Sequence, residues 1–236
     1  MNSTNTLSAF IFVLLFGIGI FGQQTVVIND PTIPEEYSTV ARTDKSLIDR
    51  DVWPVMRKKY EGESCTPEFD YSEAIQGSFT RPKARQKLIF FQVCQTGNGI
   101  GVAGLALIEN GKVVGLYGAD QAGWVGGART LPDINQNGID EIALYWSGGL
   151  HQGEGGVGVD VMELPGNALR GLGWFQSEGF SDDRPTVGYK VSVKKGKLPV
   201  FSRQKYLSNE SEKWRPSGRP AIFKLRKNVI AFAAIK

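Results

Sequence analysis

The sequence is poor in the side chains that carry most metal and nucleophilic chemistry. Its 236 residues include one histidine and two cysteines. A zinc site of Cys and His ligands is disfavoured, because both cysteines are far in sequence from His151. A Ser-His-Asp hydrolase would have to use His151, which lies in a glycine-rich stretch typical of a solvent-exposed turn. No phosphate-binding glycine motif occurs at a strand–helix junction.

A strong excess of charge of one sign is also missing. The formal net charge is only +3. Lys and Arg occur throughout residues 42–236, with no more than modest clusters. Because a nucleic-acid-binding protein usually concentrates its basic residues on one face or helix, we predict no nucleic-acid partner.

One long apolar run is present, at residues 7–22. Its length fits the hydrophobic region of a signal peptide and is short for a membrane span. We therefore predict that residues 1–22 are a signal peptide. The protein would be exported, either periplasmic or extracellular, with no stable membrane insertion after cleavage. No Lys or Arg precedes the run, and Ile20 is large for a residue near a cleavage site, so an uncleaved anchor is the alternative.

The two cysteines, Cys65 and Cys94, both follow the apolar run. In an oxidising compartment two such cysteines are expected to pair. Closing a loop of about 30 residues, the disulfide would stabilise the fold by roughly 3–4 kcal/mol. Two buried free thiols are the alternative.

The rest of the chain divides at residue 77. Residues 23–76 contain several prolines and many charges and are interpreted as an irregular linker or lid, with a short helix within residues 46–60 that Pro54 limits. Most of the chain's 29 glycines lie in residues 77–236, where they alternate with short apolar runs. This pattern is typical of strands joined by tight turns. Strands are predicted at 87–93, 102–108, 112–117, 141–146, 157–164, 189–193, 198–201, 221–225 and 229–235.

Two of the predicted connections are tight hairpins. Asn110-Gly111 between two apolar runs is a strong hairpin signal, and residues 194–197 form the second turn. No helical periodicity follows residue 77. We therefore predict an all-β fold of antiparallel hairpins, arranged either in a propeller-like manner or as a sandwich.

The most informative segment is an oxygen-rich loop that runs directly into a strand. Calcium takes six to eight oxygen ligands, and side chains at alternate positions of a tight loop can supply them. Gly138 allows the sharp bend. An EF-hand is excluded, because the twelfth position counted from Asp133 is Leu144, where an EF-hand loop needs Glu, and because a strand follows instead of a helix. The predicted metal ligands are the side chains of Asp133, Asn135, Asn137 and Glu141 and the carbonyl of Ile139. A polar turn held by Asx hydrogen bonds is the alternative.

Residues 129–164 resemble one FG-GAP (integrin-type, or VCBS) repeat of calcium-binding β-propellers. The resemblance rests on the loop, on the apolar strand that follows it, and on the glycine-rich turn before the next strand. It implies calcium as the cofactor and a blade-like hairpin. With few charged ligands, we expect a dissociation constant of roughly 10⁻⁴–10⁻³ M, in the range of extracellular modules.

These features predict a calcium-stabilised, non-catalytic binding or structural module of the cell surface or periplasm, with a protein or carbohydrate ligand. Trp124, Trp146, Trp174 and Trp214 are candidates for a sugar-stacking surface. The alternative is a secreted hydrolase that acts on carbohydrate through two carboxylates. The available carboxylates are Glu154, Asp160, Glu163, Glu178, Asp182 and Asp183, and nothing in the sequence singles out two of them.

Overall fold

The computed structural model describes residues 24–34, 38–62, 67–95, 100–148, 153–182, 184–208, 213–228 and 231–235. In chain order the elements are β1 (Thr25–Asn29), α1 (Arg42–Asp51), α2 (Trp53–Lys59), β2 (Pro67–Gly77), β3 (Gln86–Gln95), β4 (Gly101–Glu109), β5 (Lys112–Ala122), β6 (Trp124–Leu131), β7 (Glu141–Ser147), β8 (Glu154–Glu163), β9 (Arg170–Ser181), β10 (Arg184–Lys194), β11 (Val200–Ser208), β12 (Arg215–Phe223) and β13 (Ala233–Ala234).

The strands form two antiparallel sheets, which confirms the all-β prediction. The first sheet has the order β12-β11-β10-β9-β8-β7-β6, with β1 paired to β10. The second sheet has the order β13-β5-β4-β3-β2. The chain crosses from the second sheet to the first at Gly123, the one residue between β5 and β6.

The two sheets pack face to face, and alternation along each strand divides the buried side chains between two layers. In β3, Leu88 and Phe90 point into the core between the sheets, where they join Ile142 of β7. Ile89 and Phe91 point the other way, into a second core beneath α1 and α2. Of the two arrangements that the sequence left open, the described strands therefore adopt the sandwich.

The first sheet is also covered on its outer face, because it curls around β1. Ile28 of β1 is fully buried and packs in a third core with Tyr145 and Val191. The Tyr145 hydroxyl donates a hydrogen bond to the Ile28 carbonyl. As a result β7 is buried on both faces, which explains why its sequence is continuously apolar rather than alternating.

The stretch predicted as an irregular linker or lid, residues 23–76, is more regular than the sequence indicated. Its described part holds β1, both helices and most of β2. Pro54 is the second residue of α2, where its missing N–H costs no helical hydrogen bond. The strand β2 was missed because two register shifts interrupt its pairing with β3 and disturb its period of two.

The hairpin predicted at Asn110-Gly111 is confirmed. Both residues have left-handed φ values, 51° and 70°, as a two-residue turn of the favoured twist requires. Glu109 pairs with Lys112 across it.

Several predictions concern residues outside the described part of the chain. The signal peptide, residues 1–22, lies there, and so does Cys65. Its predicted partner Cys94 is buried in β3, and the disulfide stays a prediction. Within the described ranges, no helix is both long and apolar enough to cross a membrane.

Candidate metal centre

The oxygen-rich loop connects β6 to β7 and is tightly coiled. Leu131 and Glu141 pair at its two ends. Between them Asp133, Gln136 and Gly138 have left-handed φ values of 36°, 59° and 91°. A Cβ atom on Gly138 would lie 2.9 Å from Pro82 Cγ, so the position combines an unusual backbone conformation with close packing.

Three of the predicted ligands fold into one hydrogen-bonded turn. Asp133 Oδ1 and Asn135 Oδ1 both accept from the Asn137 N–H, at 2.9 and 3.0 Å. Asn137 Oδ1 accepts from the Ile139 N–H at 2.9 Å. These are the Asx bonds of the metal-free alternative, yet each carboxylate or amide oxygen keeps a second lone pair with which it can bind a cation.

The Glu141 carboxyl reaches into the turn, and one of its oxygens is left without a hydrogen bond. Its side chain is fully buried. Oε2 accepts from the Ile134 N–H at 2.8 Å, whereas Oε1 is buried and has no hydrogen-bond partner among the described residues. Burial, and to a smaller extent the charge of Asp133, raises the pKa of this carboxyl to about 7, although the backbone N–H groups of Ile134, Glu141 and Asn135 act in the opposite direction. A buried acceptor without a partner is costly, and a bound cation would remove that cost.

A second buried carboxylate, Glu163, joins the loop from the end of β8. Its Oε2 accepts from Asn135 Nδ2 at 3.0 Å and from Asn137 Nδ2 at 2.9 Å. Its Oε1 forms an ion pair with the guanidinium of Arg170. Both amides are thereby held with their nitrogens toward Glu163 and their oxygens toward the loop.

Sequence reasoning considered Glu163 only as one of six carboxylates for glycoside cleavage. The pairing of β7 with β8 places it here, because Ile142 lies opposite Met162 and the next position of β8 lies beside Glu141. The signal was available in principle: a strand beginning at Glu141 and an antiparallel strand ending at Glu163 bring the two carboxylates to one edge.

Asp140, although acidic and inside the loop, serves another contact. Its Oδ2 accepts from the Ser78 N–H at 2.7 Å, and its own N–H donates to the Ser78 carbonyl at 3.0 Å. Ser78 follows β2. Two hydrogen bonds thus join the loop of the first sheet to the second sheet.

The loop is also held from the side of the β10–β11 hairpin. The Gly196 N–H donates to the Ile134 carbonyl at 3.0 Å. Because the Ile134 N–H is bound to Glu141, the backbone of this one residue connects the buried carboxylate to the hairpin. The candidate centre therefore lies where three parts of the chain meet.

Two of the other carboxylates considered in the sequence are separately engaged. Asp160 accepts from Asn228 Nδ2 at 2.9 Å, and Glu154 is ion-paired with Arg184 at the surface. His151 and Asp183 lie outside the described residues. Within the described ranges, no three His, Cys, Asp or Glu side chains group as a metal site. The donors of the loop are instead a mixture of carboxylate, amide and carbonyl oxygens.

A polar cleft of about 490 Å³ lies between the edge strands β2 and β6. Its two acidic side chains are already engaged. Glu73 accepts from the N–H groups of Ser38 and Ala128, at 2.9 and 2.5 Å. Asp44 is ion-paired with Lys87 at 2.7 Å. The cleft offers polar contacts to a ligand, and neither carboxylate is arranged as the free acid or base of a hydrolase.

Trp146 and Trp174 do not form a flat exposed platform. Trp146 and Trp174 have ring centroids 6.1 Å apart, and Trp146 packs against the core between the sheets. Tyr145 and Trp146 lie on opposite faces of β7, as alternation predicts. Tyr145 is buried and Trp146 is half-buried, because the sheet is covered on both faces.

No family model, curated protein or solved structure matches this chain. Its function must therefore be argued from the site itself.

Proposed function

We propose that this protein is an exported β domain stabilised by one calcium ion, acting as a non-catalytic binding or structural module. The observation that carries the proposal is the buried, unpartnered Oε1 of Glu141 beside a turn rich in oxygen ligands. Native proteins rarely leave a buried polar atom unsatisfied, so such an atom points to an ion or ligand.

The chain's own oxygens fit a hard divalent cation. Asp133, Asn135 and Asn137 would bind through side chains, Ile139 through its carbonyl and Glu141 through Oε1. Oxygen ligands of this kind, some charged and some neutral, are those that calcium prefers. The ion would supply positive charge to a buried carboxylate. Glu163 would hold the amide oxygens of Asn135 and Asn137 toward it.

Such an ion would stabilise the junction of the two sheets. The loop is hydrogen-bonded to Ser78, which follows β2, and to Gly196 in the β10–β11 hairpin. An ion that fixes the loop would therefore also fix its hydrogen bonds to these two residues. An affinity near 10⁻⁴–10⁻³ M is in the range of extracellular calcium-binding modules, which agrees with the export predicted from residues 1–22.

The decisive test is thermal unfolding with millimolar calcium or with chelator. Since calcium would bind only the folded state, it should add on the order of 1–2 kcal/mol to the free energy of unfolding. Asp133→Ala should lose this increment, whereas Asp120→Ala, an exposed aspartate on β5, should keep it. An increment of the same size in Asp133→Ala, or none in the natural protein, would reject the calcium site.

Glu163→Gln tests the supporting carboxylate. The substitution keeps the shape but removes the charge that orients two amides and pairs with Arg170. Loss of such an outer partner commonly costs 10–100-fold in metal affinity, so we expect calcium binding to weaken by at least about tenfold. Titration calorimetry would measure it, with Glu154→Gln, a surface carboxylate in an ion pair with Arg184, as the matched control. Equal affinities in the two variants would contradict the role of Glu163.

A further inference from the structure

Charge is distributed very unevenly along the described chain. Residues 184–208 and 213–228, which hold β10, β11 and β12, contain thirteen Lys and Arg and no Asp or Glu. Only two of these basic residues, Arg184 and Lys190, have a carboxylate within ion-pair distance among the described residues. A region with this composition creates a positive potential that attracts polyanions.

The basic residues at one end of this region surround exposed aliphatic side chains. Leu198, in the turn between β10 and β11, is 87% exposed, and Ile222 on β12 is 77% exposed. Val27 and Val200 are 46% and 42% exposed. Lys194, Lys195 and Lys197 belong to the same turn or to its strand end. We call Val27, Lys194, Lys195, Lys197, Leu198, Val200 and Ile222 the tip patch.

Strand register places Val27, Val200 and Ile222 of the tip patch on one face. Val27 pairs with Ser192, Ser192 with Ser202, and Ser202 with Ile222. Paired residues of neighbouring strands point to the same side of a sheet. Val200 is two residues from Ser202 on β11 and shares that side, which is opposite to the side on which Ile28 is buried.

The tip patch is fixed in position by the backbone rather than by its side chains. The Lys195 N–H donates to the Gln24 carbonyl at 3.0 Å, and the Gly196 N–H donates to Ile134 at the same distance. The side chains of Lys194 and Lys197 are exposed, and that of Lys195 is half-buried. Gln24, the first described residue, precedes β1 at this end of the fold.

We propose that the tip patch docks on an anionic lipid surface. Lys and Arg near such a surface are each attracted by its negative potential. Leu198 and Ile222 would enter the boundary between headgroups and acyl chains, as the apolar residues of interfacial segments do. Binding of single-stranded nucleic acid instead relies on stacking aromatic rings, and Leu198 and Ile222 provide none. This inference goes beyond the proposed calcium site and does not depend on it.

The test is flotation of the full chain with vesicles of phosphatidylcholine alone or mixed with phosphatidylglycerol, in chelator so that calcium cannot bridge protein and lipid. We expect stronger binding to the anionic vesicles, weakened by salt. Replacing Lys194, Lys195 and Lys197 together by Gln should weaken this binding by roughly fivefold for each lysine. Leu198→Ser should weaken it further without changing its dependence on salt.

A matched control removes the same charge elsewhere. Arg57, Lys58 and Lys59 end α2, which packs on the second sheet, and replacing all three by Gln should leave vesicle binding nearly unchanged. Equal losses in both triple variants would overturn the proposal in favour of a net-charge effect. Equal binding to both vesicle types would assign attachment to residues 7–22 and also overturn it. Tighter binding to duplex DNA or to a sulfated polysaccharide than to anionic vesicles, lost when Lys194, Lys195 and Lys197 are replaced, would overturn it as well.

Discussion

Without calcium, raising the pH from about 4.5 to about 7 should lower the free energy of unfolding by on the order of 3 kcal/mol through Glu141 alone. The cause is its burial, which raises the pKa of the carboxyl to about 7 in the folded protein. In the unfolded chain the pKa returns to that of an ordinary Glu, near 4.3. Across this pH interval the folded state therefore binds a proton that the unfolded state has lost.

The direction follows from proton linkage. Stability decreases with pH wherever the folded state binds more protons than the unfolded state. The contribution of Glu141 is therefore complete below the pKa of the unfolded chain and is lost as the pH rises through the folded pKa. Calcium reverses the loss at high pH, because it binds the ionised carboxylate.

The measurement is chemical denaturation in chelator at a series of pH values, for the natural protein and for Glu141→Gln. Gln can still accept the Ile134 hydrogen bond, but it does not ionise, so the difference between the two proteins isolates this group. Glu154→Gln controls for a surface carboxylate and should not alter the pH profile. Parallel profiles for the natural protein and Glu141→Gln would show that Glu141 does not titrate in this range.

The largest effect of a single substitution is expected in the core between the sheets. Phe90 is fully buried there, and Phe→Ala in a core typically costs about 3–5 kcal/mol through lost burial and the cavity left behind. Denaturation of Phe90→Ala should show this loss equally with calcium and with chelator. A matched surface control is Ile222→Ala, which should change stability by less than about 0.5 kcal/mol.

Comparing Phe90→Ala with Asp133→Ala separates the fold from the site. Phe90→Ala should lower the free energy of unfolding while keeping the calcium increment. Asp133→Ala should lose the calcium increment while changing the free energy of unfolding in chelator much less. If Phe90→Ala cost less than about 1 kcal/mol, the face-to-face packing of the sheets would be contradicted, because a fully buried aromatic side chain would then contribute little.

Local signals in the sequence predicted the local structure well. The Asn110-Gly111 turn and the strands near residues 87–93, 141–146 and 157–164 were found because turn chemistry and apolar runs are properties of neighbours along the chain. The turn formed by Asp133, Asn135 and Asn137 was predicted for the same reason. Their side chains need only residues two to five positions away.

Contacts between distant residues were not predictable in this way. Glu163 meets the loop only because β8 pairs with β7, and Asp140 turns toward Ser78 only because the two sheets adjoin. The basic residues of β10–β12, by contrast, could have been counted in the sequence, since they lie within residues 184–228. That exposed aliphatic side chains of three neighbouring strands share one face with them becomes visible only once the strand register is known.

The backbone of Ile134 has a consequence for communication through the molecule. Its N–H is bound to Glu141 and its carbonyl to Gly196, so an ion at the loop and a lipid surface at the tip patch would both act on the backbone of this residue. Any factor by which calcium increased lipid affinity would equal the factor by which lipid increased calcium affinity, because coupling between two binding sites is reciprocal. If this factor exceeded one, the protein would bind both most tightly where the ion and the anionic surface coincide, and it would then respond to their joint presence.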